Sequence, residues 1–192
     1  MRRLSLKHVL ALFSFIFVAW AVFRYFPEPS PWITELILKP LVWLVPTFWL
    51  VRKIERQPFS SLGFTSRNFF PSLYWGIGLG MVFALEGLLT NIFKYKGLNL
   101  VPLDYAPEFF LGTIVLSFAT AFTEETVFRG YIFSRLRSLW KSEWLANILS
   151  SLFFSLIHLP VGIFVLGYAP GVMLSYLFLV FVFGFGASFV FA

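Results

Sequence analysis

Six apolar runs, at about residues 9–26, 32–51, 70–93, 110–134, 144–159 and 171–192, leave the chain little choice of environment. Each is near the ~20 residues that a helix needs to cross ~30 Å of hydrocarbon. An ordinary soluble domain is roughly a quarter charged, whereas this chain is 12% charged and 59% hydrophobic, too apolar for a water-soluble fold to hide. The expected fold class is all-α: a polytopic transmembrane bundle of about six helices, forming a single membrane domain over 1–192 without a soluble appendage. The 27 Phe and 7 Trp suit contact with lipid and with the membrane–water interface.

There is no cysteine, which removes disulfides, thiolate nucleophiles and cysteine-based zinc sites. The net charge is +6, but the basic residues lie in short segments between apolar runs, where they set topology and can face anionic lipid. No basic stripe with interleaved stacking aromatics stands clear of the spans, so the lipid bilayer is an expected partner and nucleic acid is not. Three basic clusters alternate with the spans: Arg2, Arg3 and Lys7; Arg52, Lys53, Arg56 and Arg67; Arg135, Arg137 and Lys141. The positive-inside rule puts all three in the cytoplasm with the N-terminus inside. Bulky Phe13, Phe15, Phe17, Trp20 and Phe23 fill the first run to its end, as in an anchor helix rather than a cleaved signal. The Pro27–Pro31 segment ends that helix as a stiff turn. Gly76 and Gly80, with Gly78 between them, have the small-xxx-small spacing that lets helices pack closely. With no sorting signal visible, a prokaryotic plasma membrane is the expected location.

Charges within a membrane helix cost about 2.5–3.5 kcal/mol each near its centre, so they should face the bundle interior and be paired. Glu124, Glu125 and Arg129 share the fourth run. Glu125 and Arg129 are four apart with the acid first, the better orientation for a same-face ion pair. Glu124 lies ~100° around the helix, so it is expected to be the freer carboxylate, pointing at a neighbouring helix with Thr120 and Thr123 available to hold it. His158 lies near the end of the fifth run, and its depth is expected to differ from that of Glu124 by only ~8 Å. The plain alternative is an ion-paired helix that locks the bundle and a histidine satisfied in its core; the apolar surroundings weigh against it. Glu86 and Asn91, in the third run, fit either a cavity-facing site or an ordinary helix contact. His8 is assigned no role.

The stretch Glu124-Glu125-Thr126-Val127-Phe128-Arg129-Gly130, followed by Phe154-x-x-x-His158, resembles the CPBP family of intramembrane glutamate endopeptidases, which includes CAAX prenyl endopeptidases and bacteriocin-processing or immunity proteins. Leu62-Gly63-Phe64 also resembles a short segment between early helices of that family. The resemblance covers about the last half of the chain and places the motif-bearing core at about 70–192. It implies a metal-independent peptidase without a cofactor, in which Glu124 and His158 are catalytic and activate water, with Glu125 and Arg129 supporting them. The implied substrate is a membrane-associated protein or peptide, processed at a CAAX-type tail or a leader.

One departure matters: the family pattern continues into a last helix with a further His, commonly followed by Asn one turn later, thought to hold the oxyanion. The sequence ends at Ala192 in what looks like the helix before it, so the bundle is expected to be truncated there and its activity impaired; losing one oxyanion donor costs about 10²–10³ in rate in a serine protease. Three other functions fit less of the pattern. A zinc hydrolase would need an unusual ligand set, since there is no His-Glu-x-x-His. A non-proteolytic immunity or scaffold protein would use the same helices to hold a partner. A proton-coupled transporter should show interrupted hydrophobic segments at matching places in two halves, and none is visible.

Overall fold

A computed structural model of the chain describes residues 6–27, 29–64, 69–99 and 107–191. These are all-helical, with no strand among the described residues. The helices are α1 (Leu6–Tyr25), α2 (Pro31–Glu55), α3 (Phe69–Tyr95), α4 (residues 107–140), α5 (Glu143–Val165) and α6 (Pro170–Phe191), with a 3₁₀ turn at Phe59–Leu62. They correspond one to one with the six apolar runs. All but α4 are long and apolar enough to cross a bilayer; α4 is the helix that carries Glu124, Glu125 and Arg129. The protein is a polytopic membrane helix bundle.

The helix ends follow from local chemistry. Pro31 sits at the start of α2, where its missing N–H is not needed. Lys141 closes α4 in the left-handed region (φ 54°), and Ser142 accepts a hydrogen bond from Leu145 N, so these residues alone separate α4 from α5. Two helices outrun their apolar stretches. α4 extends past Phe133 through the basic Ser134–Trp140 turn, and α5 passes through Pro160 to Val165. Pro160 cannot donate to the carbonyl of Leu156, so the ladder loosens at Ile157–His158 and resumes as wide π-type turns over Val161–Val165.

The core is formed where α1, α2, α4 and α5 meet, by Ile16 and Trp20, by Trp43 and Val51, by Phe128, Tyr131 and Ile132, and by Phe154 and Ile157. Polar side chains join helices within it, as expected where water does not compete. On α5, Asn147 and Ser155 donate to the carbonyls of Phe185 and Leu177 on α6, and Ser150 donates to that of Phe128 on α4. At one end of the bundle, Glu55 accepts from Tyr131 Oη (2.7 Å) and Arg135 Nε (2.9 Å), while Arg135 also donates to the backbone and hydroxyl oxygens of Ser61. His8 Nδ1 lies 3.5 Å from the same carboxylate, so the residue without an assigned role joins this cluster. The cluster brings the start of α1 and the ends of α2 and α4 together, and with them Lys7, Arg52, Lys53, Arg56, Arg137 and Lys141. Arg2, Arg3, Glu28, Arg67, residues 100–106 and Ala192 lie outside the described residues.

The glycine expectation needs correction. A Cβ on Gly76, Gly78 or Gly80 would meet nothing within 4 Å, because α3 lies at the edge of the bundle, chiefly against α6. The close approach there belongs to Gly186 of α6, whose Cβ would lie 3.2 Å from Leu79 Cδ1. Gly130 of α4 is the more demanding position, since a Cβ would lie 2.8 Å from the backbone oxygen of Leu62. That carbonyl is fixed by the turn that Gly63 closes at φ 82°. Overpacking of this kind costs about 1–3 kcal/mol. Gly130→Ala is therefore expected to lower the unfolding temperature in detergent by about 5 °C, taking ~2–4 °C per kcal/mol at this chain length; an unchanged temperature would mean that the turn yields freely.

Candidate active site

The two adjacent carboxylates of α4 are held by different partners. Glu125 lies 3.4 Å from Arg129 Nη1, the i,i+4 pair expected from the spacing. Arg129 is buried; its Nη2 donates to the carbonyl of Gly184 on α6 (3.0 Å), and its guanidinium stacks 4.3 Å from the centre of the Phe154 ring on α5. One arginine thus ties α4, α5 and α6 together beside the glutamates. Gly184 makes room for it, since a Cβ there would lie 3.0 Å from the Phe154 ring and 3.3 Å from Nη2. From Thr126 to Phe133 the helix widens into π-type turns, a distortion often found at functional sites.

Glu124 is not the freer of the two. Its Oε1 accepts from Lys39 Nζ of α2 at 2.6 Å, and its side chain is 16% exposed against 40% for Glu125. The expected hydroxyls do not hold it either: Thr120 Oγ1 donates to Glu35 Oε2 (2.7 Å), and the buried Thr123 hydroxyl has no hydrogen-bond partner among the described residues. The reason is geometric. Glu124 faces α2, as an orientation ~100° from Glu125 allows, and α2 presents an ammonium there.

Glu124, His158 and Glu86 line one cavity of about 540 Å³, with Tyr176 and an otherwise apolar wall that includes Phe83, Leu179 and Phe183. The cavity lies among α3, α4, α5 and α6, and Glu125 and Arg129 are not on its lining. His158 Nδ1 is 2.7 Å from the carbonyl oxygen of Phe154. A carbonyl can only accept, so Nδ1 carries the hydrogen and Nε2 is the nitrogen left for proton exchange. The ring is held edge-on against Phe154 and Tyr176, at 4.8 and 6.3 Å between centres. Glu86 accepts from Thr90 Oγ1 of its own helix (2.9 Å) and still reaches the cavity, while Asn91 is used in hydrogen bonds with the backbone of Asn99. Among the described residues no group of three or more His, Asp or Glu side chains is gathered to hold a metal ion.

Lys39, Glu35 and Arg24 were not identified from the sequence. The signal was present: Glu35 and Lys39 are four apart inside the second apolar run, and the argument applied to Glu124 applies to them.

Residues 106–192 match the model of the Rce1-like family, described as type II CAAX prenyl endopeptidase Rce1-like. That stretch contains Glu124, Glu125, Arg129 and His158, and leaves out α1, α2 and α3. No curated protein and no solved structure gives a significant match.

Proposed function

We propose that this chain, whose residues 106–192 match the model of the Rce1-like family of type II CAAX prenyl endopeptidases, hydrolyses a peptide bond in a membrane-associated protein or peptide, with Glu124 and His158 as its catalytic pair and no metal ion. The observation that carries the reading is the shared cavity: a carboxylate and an imidazole face one largely apolar space inside the bundle. In the reaction, Glu124 takes a proton from water as the water oxygen adds to the substrate carbonyl carbon. The tetrahedral intermediate then collapses, the C–N bond breaks, and the leaving nitrogen receives a proton through the same carboxyl. His158, through Nε2, orients the water and exchanges its second proton. Glu125 and Arg129 act from outside the cavity, fixing α4 against α5 and α6 so that the pair keeps its spacing. The gathering of basic residues at one end of the bundle supports a cytoplasmic N-terminus in a cell membrane.

The test uses the chain in liposomes with a panel of fluorogenic, membrane-anchored peptides, including CAAX-type tails and leader sequences. Cleavage is expected, unaffected by chelator, and His158→Ala is expected to lower kcat about 10²–10³-fold, within the roughly 10²–10⁴-fold that positioned acid–base groups contribute. Chelator-sensitive cleavage, or full activity in His158→Ala, would overturn the reading.

A further inference from the structure

The cation nearest to Glu124 comes from outside the family match. Lys39 Nζ bridges Glu124 Oε1 (2.6 Å) and Glu35 Oε2 (3.0 Å), and Glu35 is held in turn by Thr120 Oγ1 (2.7 Å) and by Arg24 Nη2 of α1 (3.7 Å). Two acids and two bases thus alternate in one set whose charges cancel. Lys39 is buried, its ammonium lying 5.2 Å from the centre of the Trp43 ring and 6.0 Å from that of Trp20, so it is screened from water and its attraction for both carboxylates is correspondingly strong. Arg129, the other cation close to the glutamate pair, is committed to Glu125 and Gly184. Glu124 Oε2 has no hydrogen-bond donor among the described residues, and the side chain lines the cavity.

We propose that Lys39, backed by Glu35, is a positioning residue for Glu124: it holds one carboxylate oxygen against α2 and keeps the group ionised, leaving the second oxygen to work in the cavity shared with His158. The role rests on the reading of Glu124 as the group that activates water. On this view the catalytic unit is wider than residues 106–192 and includes α2, with α1 behind it. Lys39 touches no substrate; it acts through the orientation and charge of Glu124. A carboxylate that loses its cation in apolar surroundings takes up a proton rather than remain charged, and a protonated Glu124 cannot accept one from water.

Two readouts on the full chain in liposomes separate this role from a merely structural one. The first needs no turnover: labelling by dicyclohexylcarbodiimide, which attacks protonated carboxyls in apolar surroundings, mapped by mass spectrometry of peptides containing Glu124 and Glu86. Lys39→Met is expected to raise labelling at Glu124 at least tenfold and leave Glu86, on the same cavity, unchanged; Lys39→Arg, which keeps the charge, should return most of the way to wild type. Glu35→Gln, which keeps Lys39 but loosens its second anchor, should raise it about threefold and serves as the decisive variant if Lys39→Met does not fold. Labelling at Glu124 within twofold of wild type in the folded variants would overturn the proposal, as would an equal rise at Glu86. The second readout is cleavage of the fluorogenic peptides. Lys39→Met should lower kcat about 100-fold with KM within twofold, and Lys39→Arg should recover at least a tenth of wild-type kcat; a change confined to KM would count against positioning. If labelling behaves as expected and no peptide is cut, Lys39 still holds Glu124 and it is the proteolytic function that fails.

Discussion

Glu124→Gln is expected to reduce cleavage of membrane-anchored peptides about 10³-fold or more in kcat while the protein remains folded. The amide keeps the size of the side chain and an oxygen that can accept from Lys39, and the ammonium retains Glu35 as a charged partner. The substitution removes only the capacity to take a proton, and positioned acid–base groups contribute roughly 10²–10⁴-fold. Steady-state cleavage in liposomes measures the loss, and circular dichroism with thermal unfolding in detergent checks the fold. Persisting turnover in a well-folded Glu124→Gln would remove Glu124 from the chemistry, and the scaffold or transporter functions would then account better for its intramembrane charge.

The largest expected effect on stability lies away from the cavity, at Glu55. Its side chain is 2% exposed and that of Arg135 is 5% exposed, and between them they hold Tyr131 and the Ser61 turn. Glu55→Ala leaves the arginine buried with only neutral partners and the Tyr131 hydroxyl without its acceptor. Breaking a buried pair from one side costs about 3–5 kcal/mol. At ~2–4 °C per kcal/mol for a chain of this size, the unfolding temperature should fall by about 10 °C. The double variant Glu55→Leu/Arg135→Met should recover at least half of that, because no charge is stranded. Equal effects for the single and double variants would show that the polar contacts of each residue, and not their charge pairing, hold this end of the bundle together.

What the sequence made legible was local or averaged over many residues. Six helices follow from apolar length alone, and Glu125–Arg129 follows from a four-residue step on one helix. The pairing of Glu124 with Lys39 crosses 85 positions of sequence and depends on how α2 and α4 face each other, which periodicity along either helix does not specify. The same limit explains the glycines. Gly76 and Gly80 have the right spacing on α3, but which helix passes nearby is a property of the bundle, and Gly186 occupies the close contact. Pro160 misleads in another way: it ends an apolar stretch on paper, yet the helix absorbs it by loosening its ladder for one turn. Depth along the membrane normal brought His158 within reach of Glu124 to about 8 Å; only the packing of α4 against α5 sets them on one cavity.

The way the charges are shared bears on the cost of bringing each helix into the membrane. Lys39 carries Glu35 on its own helix, and Arg129 carries Glu125, so each cation passes into the bilayer with its counter-charge one turn away. Glu124, by contrast, takes its ion-pair partner from another helix. Because the chain is made from its N-terminus, α2 is already in place when α4 emerges, and the ammonium waiting there offsets part of the cost of bringing a second carboxylate into lipid. Helix α2 thus presents a cation to α4 during assembly as well as in the folded bundle.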